Sequence, residues 1–142
     1  FRMPSIWVAE AHSKVAPTWM YRFDQAPPLM KLLGIGASHA TELPYVFGTL
    51  PDKLSEKKAL QFRLGGLKEA KQISSRMMAR WLSFARTADP VTVSVDTGEE
   101  LVWPRYDETT RTTLIINSED TIKNDPDGDI RKAWGEEVLG FK

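Results

Sequence analysis

The chain reads as an α/β protein, and three segments carry that prediction. Residues 66–87 place apolar side chains at steps of three or four, the period of an amphipathic helix. "TWMYRF" (residues 18–23) is dense in aromatic residues, and "TTLIIN" (residues 112–117) in β-branched ones, the composition of strands.

In chain order, Pro4 suits a first helical turn, where a missing N–H costs nothing. Ile6, Trp7, Glu10, Ala11 and Lys14 divide into apolar and polar positions, so residues 4–14 are predicted as a short helix that Pro17 ends. The strand at 18–23 stops at Pro27-Pro28. Residues 29–57 show no sustained period and hold Gly34, Gly36, Pro44, Gly48 and Pro51. They are predicted as a long connection with at most one or two helical turns, and connections of that length tend to be functional.

In the helix at 66–87, Leu67, Ala70, Ile73, Met77, Trp81 and Phe84 form the apolar stripe, widened by Met78, Leu82 and Ala85. Lys68, Lys71, Arg76 and Arg80 fall largely between them. A polar, hairpin-like stretch follows Asp89-Pro90. After the strand at 112–117, a last short helix is predicted from just past Gly128 to about Glu137.

The 142 residues suffice for one core, and 42% hydrophobic with 27% charged residues is a globular composition. Nineteen basic residues balance nineteen acidic ones, so no basic field attracts nucleic acid or an anionic membrane. With no cysteine there are no disulfides and no thiolate chemistry. No apolar run approaches the roughly 20 residues that span a bilayer.

Asp125, Asp127, Asp129 and Glu136 occupy positions 1, 3, 5 and 12 of an EF-hand-like loop. Ile130 stands where the sharp-turn glycine is required, so the favoured reading is a turn at 126–128 with Asp129 capping the last helix, and no metal. Gly34-Ile35-Gly36 lacks the third glycine of a dinucleotide fingerprint, and "RLGGLKEA" lacks the lysine and hydroxyl of a P-loop, so no cofactor is predicted. His12 reads as a surface or helix-end histidine. His39 follows small residues in the long irregular segment and precedes an apolar turn. On these residues alone, a satisfied structural histidine and a general base are both open.

The order of residues around His39 narrows the choice. "GASHATELPYVFG" resembles the catalytic-histidine segment of the type-B carboxylesterases, the α/β-hydrolases that include para-nitrobenzyl esterases and cholinesterases. That segment usually runs from small residues into His-Gly-x-Glu-Leu-Pro-Tyr-Val-Phe-Gly. His39, Glu42, Leu43, Pro44, Tyr45, Val46, Phe47 and Gly48 match it in register. "WLSFARTADP" resembles the family's Trp-x-x-Phe-Ala-x-Thr-Gly-Asp-Pro signature, "TWMYRFD" its aromatic-rich penultimate strand, and "WPRYD" the segment before its last strand. Two departures are Ala40 and Ala88, each where the pattern has glycine; alanine is expected there only with negative φ.

The resemblance implies that residues 1–142 are the C-terminal segment of one α/β-hydrolase domain, carrying the last strands of a mostly parallel sheet and flanking helices. It implies a carboxylic ester hydrolase in which His39 is the catalytic base. The triad order in this fold is Ser, then Asp or Glu, then His, which places the other members upstream. No Gly-x-Ser-x-Gly occurs in the chain, and Ser38, adjacent to His39, is a poor nucleophile candidate. Glu42 is expected to bond nearby backbone or polar groups, and "LMKLL" with Leu43 to line one side of the substrate gorge. The partners implied are a small-molecule ester and the upstream part of the same protein. The isolated segment is expected to be inactive and to self-associate through an exposed sheet edge.

Two alternatives stand beside this reading. One is a non-catalytic, cholinesterase-like adhesion domain, which retention of His39 argues against. The other is an unrelated α+β binding module with a buried, doubly bonded histidine. The absence of cysteine fits a bacterial or cytoplasmic esterase better than an extracellular module.

Overall fold

The computed structural model describes residues 2–135. Its elements are α1 (Arg2–Ser13), β1 (Met20–Phe23), α2 (Pro28–Leu32), α3 (Leu43–Val46), a 3-10 helix (Lys57–Phe62) and α4 (Leu67–Thr87). They continue as β2 (Thr92–Val93), β3 (Glu100–Leu101), β4 (Thr112–Ile116), β5 (Thr121–Asn124) and α5 (Gly128–Trp134). One sheet has the order β1-β4-β5, and β2 pairs with β3 in a second. The residues fall into two compact units, with the division lying inside β1, β4 and β5.

The first unit holds the described residues up to Tyr21, from Pro104 to Leu114, and from Ile122 onward. In α1, Met3, Ile6 and Ala9 are buried at a spacing of three, the inward stripe expected from the sequence. The helix begins at Arg2 rather than at residue 4, because Pro4 still lies among the first N–H positions that have no intrahelical partner. Glu10 pairs with Arg111 at 2.8 Å, Arg2 with Asp127 at 3.1 Å, and the Trp7 ring meets Trp134 edge-on at 6.1 Å. Burial, reinforced by the Glu10 charge, pushes the Tyr106 hydroxyl up to about 12.

Two sequence expectations need correction here. Thr121–Asn124 is a strand that the sequence did not signal, and all four of its residues are exposed. It joins the sheet by backbone pairing rather than by burying side chains, so its composition carries no period. In α5 the N-cap position belongs to Asp127, and Asp129 lies in the first turn, where its carboxylate faces the positive end of the helix. The predicted extension to Glu137 lies outside the described residues.

The second unit holds residues 22–103 and 115–121. Its axis is α4, whose limits match the sequence prediction to one residue and which buries Ala70, Ile73, Ser74, Met77 and Arg80. Phe62, Ile73, Met77 and Ile116 are fully enclosed, and Trp81 packs on Trp103 at 5.3 Å. The far end of the helix departs from the predicted stripe: Leu82, Phe84 and Ala85 are exposed while Arg80 is buried. The burial of Arg80 has a carboxylate behind it: Asp120 meets Arg80 Nη1 at 2.6 Å and Arg76 Nε at 3.2 Å. After α4 the polar stretch is a hairpin, with Thr92 opposite Leu101 and Val93 opposite Glu100.

The two alanines that replace glycine in the family pattern overturn the expectation of negative φ. Ala40 has φ +64° and Ala88 has φ +56°. Ala88 ends α4 in the left-handed conformation, its N–H donating to the Phe84 carbonyl at 2.8 Å. This position favours glycine because a Cβ crowds the following carbonyl there. The left-handed penalty is about 1–2 kcal/mol, and glycine returns roughly 0.5–1 kcal/mol of it through its floppier unfolded state. Ala88→Gly is therefore expected to stabilise the fold by about 0.5–1 kcal/mol, read as a higher urea midpoint with unchanged m-value. A lower midpoint would contradict the strain.

Candidate active site

His39 lies in the turns that lead into α3, and its side chain is exposed. The segment is built by short-range backbone bonds. The Ser38 carbonyl accepts from the Thr41 N–H at 3.2 Å and from Thr41 Oγ1 at 2.7 Å. The Ala40 carbonyl accepts from the Leu43 N–H at 3.3 Å. The Glu42 carbonyl accepts from Tyr45 at 2.9 Å and Val46 at 3.1 Å, which starts α3. Pro44 fits because the first turn needs no N–H from it. The left-handed conformation at Ala40 makes the sharp change of direction directly after the histidine.

The other end of the segment is fixed to α4. Thr49 N–H donates to the Pro44 carbonyl at 2.9 Å, the outer bond of a Schellman-type helix end, with Gly48 left-handed at φ +62°. A Cβ on Gly48 would stand 2.8 Å from Met78 Sδ, a flexible thioether able to move aside, so it is the left-handed dihedral that calls for glycine. Tyr45 is buried, its ring edge-on to Phe23 at 4.9 Å. Burial, reinforced by the Glu69 charge, pushes the Tyr45 hydroxyl up to about 12. The Tyr45 carbonyl accepts a 2.6 Å hydrogen bond from Ser74 Oγ of α4, with both groups buried.

The structure thus joins an exposed imidazole, through a ladder of turns, to a buried anchor. Histidine is the side chain that exchanges a proton near neutrality, and it serves as a base when its backbone is held. Glu42 occupies the N-cap position of α3, half-buried, with no capping bond from its carboxylate. "LMKLL" is mostly the helix α2 rather than a loop, and Leu32, Leu33, Leu43 and Phe47 are exposed apolar side chains. Ser74 was not signalled by the sequence analysis. Its only trace there is a small hydroxyl residue four positions after Ala70 and three before Met77, on the apolar face.

The remaining candidates lie elsewhere. His12 is exposed in the last turn of α1, with Nδ1 2.8 Å from Thr18 Oγ1. Asp125 is taken by Arg131 at 2.7 Å and Asp127 by Arg2 at 3.1 Å, so these two acidic positions pair with cations, and Glu136 lies outside the described residues. Among the described residues no cluster of three or more His, Cys, Asp or Glu side chains could hold a metal ion.

Comparison with known proteins gives the chain its family. The model of the family described as "Carboxylesterase family" matches residues 1–134. The chain is 42% identical over 135 residues to the para-nitrobenzyl esterase of Bacillus subtilis, covering 93% of this chain and 24% of that protein. It is 32% identical over 113 residues to carboxylesterase 5A of Canis lupus familiaris, covering 76% of this chain and 18% of that protein. A solved PNB esterase superimposes with a TM-score of 0.75 at 41% identity, covering 93% of this chain and 24% of that one. The chain therefore spans about a quarter of the length of the para-nitrobenzyl esterases it matches.

Proposed function

Because the chain belongs to the carboxylesterase family, with its helices and strands forming part of an α/β-hydrolase fold, we propose that His39 is the general base of a serine-dependent carboxylic ester hydrolase. The observation that carries this reading is the exposed His39 side chain on a segment whose Tyr45 is buried and bonded to Ser74 of α4.

On this reading the nucleophilic serine and the triad carboxylate come from the part of the domain that precedes these residues. The serine oxygen attacks the ester carbonyl carbon while His39 takes its proton. The protonated imidazole then gives that proton to the alkoxy oxygen as the carbon–oxygen bond to the alcohol breaks, leaving an acyl-serine. Water attacks the acyl carbon in the second half, His39 again removing a proton and returning it to the serine as the acid leaves. The carboxylate keeps the imidazole in the working tautomer, and backbone N–H groups stabilise the oxyanion. The substrate is a small carboxylic ester.

The 142 residues alone are then expected to hydrolyse nitrophenyl esters no faster than buffer, and to self-associate, since among the described residues β1 has a sheet neighbour only on the β4 side. Co-expression with the upstream part of the domain should restore hydrolysis. Turnover by the isolated chain, or no turnover from the reassembled pair, would refute the assignment.

A further inference from the structure

We infer that Ser74 is a positioning residue for the reaction, holding the His39 segment in register by bonding the carbonyl of Tyr45; the inference rests on His39 being the base. Ser74 is 3% exposed, and its hydroxyl spans 29 positions of sequence to reach Tyr45 at 2.6 Å, a short O–H···O bond. The residues 38–45 form a continuous succession of turns, so this anchor fixes the end of a ladder that starts beside the histidine. Tyr45 N–H bonds Glu42, Leu43 N–H bonds Ala40, and Thr41 bonds Ser38. Each of these steps is a local bond, so the rotation of α3 about its own axis bears on where the His39 Cα stands.

A four-residue helix cannot hold that rotation by itself. Helices this short are unstable without tertiary contacts, and α3 has one exposed face with Leu43 and Phe47. Gly48, just past the end of α3, lies close to Met78 of α4, whose flexible thioether tolerates small shifts. The directional element in this packing is the Ser74 hydroxyl, since a hydrogen bond weakens steeply once its angle is lost. Loss of the donor also leaves a buried carbonyl to find another partner, which favours a rotated α3. A shift of the base by a fraction of an ångström lowers the rate of proton transfer while leaving ester binding intact.

The test uses the complete esterase carrying Ser74→Ala, with Ser74→Cys as a second variant that keeps a hydrogen-bearing atom at the γ position, somewhat larger than oxygen and a weaker donor. Assays run well below each variant's Tm. The expected result is a kcat about tenfold lower for Ser74→Ala, an intermediate kcat for Ser74→Cys, and an unchanged KM for both. Wild-type kcat in either folded variant would show that the bond serves stability alone and would overturn the inference. A rise in KM with unchanged kcat would overturn it too, by pointing to substrate binding. His39→Ala is run alongside: if that variant keeps its activity, the assignment of the base fails first. If it is inactive while Ser74→Ala turns over normally, only the positioning role of Ser74 fails.

Discussion

Replacing His39 by alanine in the complete enzyme is expected to lower kcat for nitrophenyl ester hydrolysis by about four to six orders of magnitude. That corresponds to roughly 5–8 kcal/mol of transition-state stabilisation. The magnitude follows from the proposed role: without a base, a serine hydroxyl must attack while still protonated, and the alcohol must leave as an alkoxide. KM should change little, because the imidazole acts on the proton in flight rather than on the bound ester. The fold should be undisturbed, since the His39 side chain is exposed and the segment is held by Thr41, Leu43, Tyr45 and Ser74. Steady-state kinetics with a thermal melt as control separates the two effects. A variant within tenfold of the parent would remove His39 from the chemistry.

The second large effect is structural. Replacing Asp120 by alanine should destabilise the fold by about 3–5 kcal/mol, measured by urea unfolding. Asp120 is the one carboxylate that Arg76 and Arg80 share in this unit: Arg80 donates to Oδ2 at 2.6 Å, and Arg76 donates to both oxygens at 3.2 Å. Arg76 Nη2 also holds the carbonyls of Asn117 at 2.9 Å and Ser118 at 3.1 Å, so the carboxylate organises the turn after β4 as well. Arg80 is 2% exposed, and removing its counter-charge strands a guanidinium in a medium that solvates it poorly.

The cluster also sets a pH dependence. Burial opposes ionisation of Asp120, but hydrogen bonds from Arg76 and Arg80 outweigh it and hold the carboxyl below its ordinary 3.8. A carboxyl with a lowered folded value stabilises the fold fully above the unfolded value. That contribution disappears as pH falls below 3.8 and through the folded value. Acid titration of stability should therefore be shallower below pH 4 in the alanine variant than in the parent, and parallel curves would contradict this account.

What the sequence disclosed, and what it hid, follows from how each feature is held. The α4 helix and β4 were legible because their burial repeats along the chain: Ala70, Ile73 and Met77 at helical steps, and five successive buried residues in β4. The motif from His39 to Gly48 was legible because several of its residues answer separate local demands, such as Pro44 in a first turn and Gly48 at a left-handed, crowded position. Other features depend on partners distant in sequence. Arg80 reads as a surface residue until Asp120, 40 positions on, is folded against it. Ser74 reads as a gap in the apolar stripe until the Tyr45 carbonyl reaches it. β5 is held by main-chain groups, which every residue possesses. The left-handed alanines stayed hidden for another reason: glycine would have announced the conformation, and a methyl disguises it.

The sheet order β1-β4-β5 has a consequence for biosynthesis. When the 142 residues are made on their own and β1 leaves the ribosome, its neighbour β4 has not been made; residues 24–111 must be translated first. At about 5–20 residues per second the delay is on the order of ten seconds. The contacts of α3 with α4 close much shorter loops, so a helical subassembly is able to form during that wait while β1 stays unpaired. A nascent chain with an aromatic strand of Met20-Tyr21-Arg22-Phe23 exposed for that long is a substrate for chaperones and for aggregation. When the 142 residues are expressed alone, slowing translation between β1 and β4 should lower the soluble yield more than slowing it after β5.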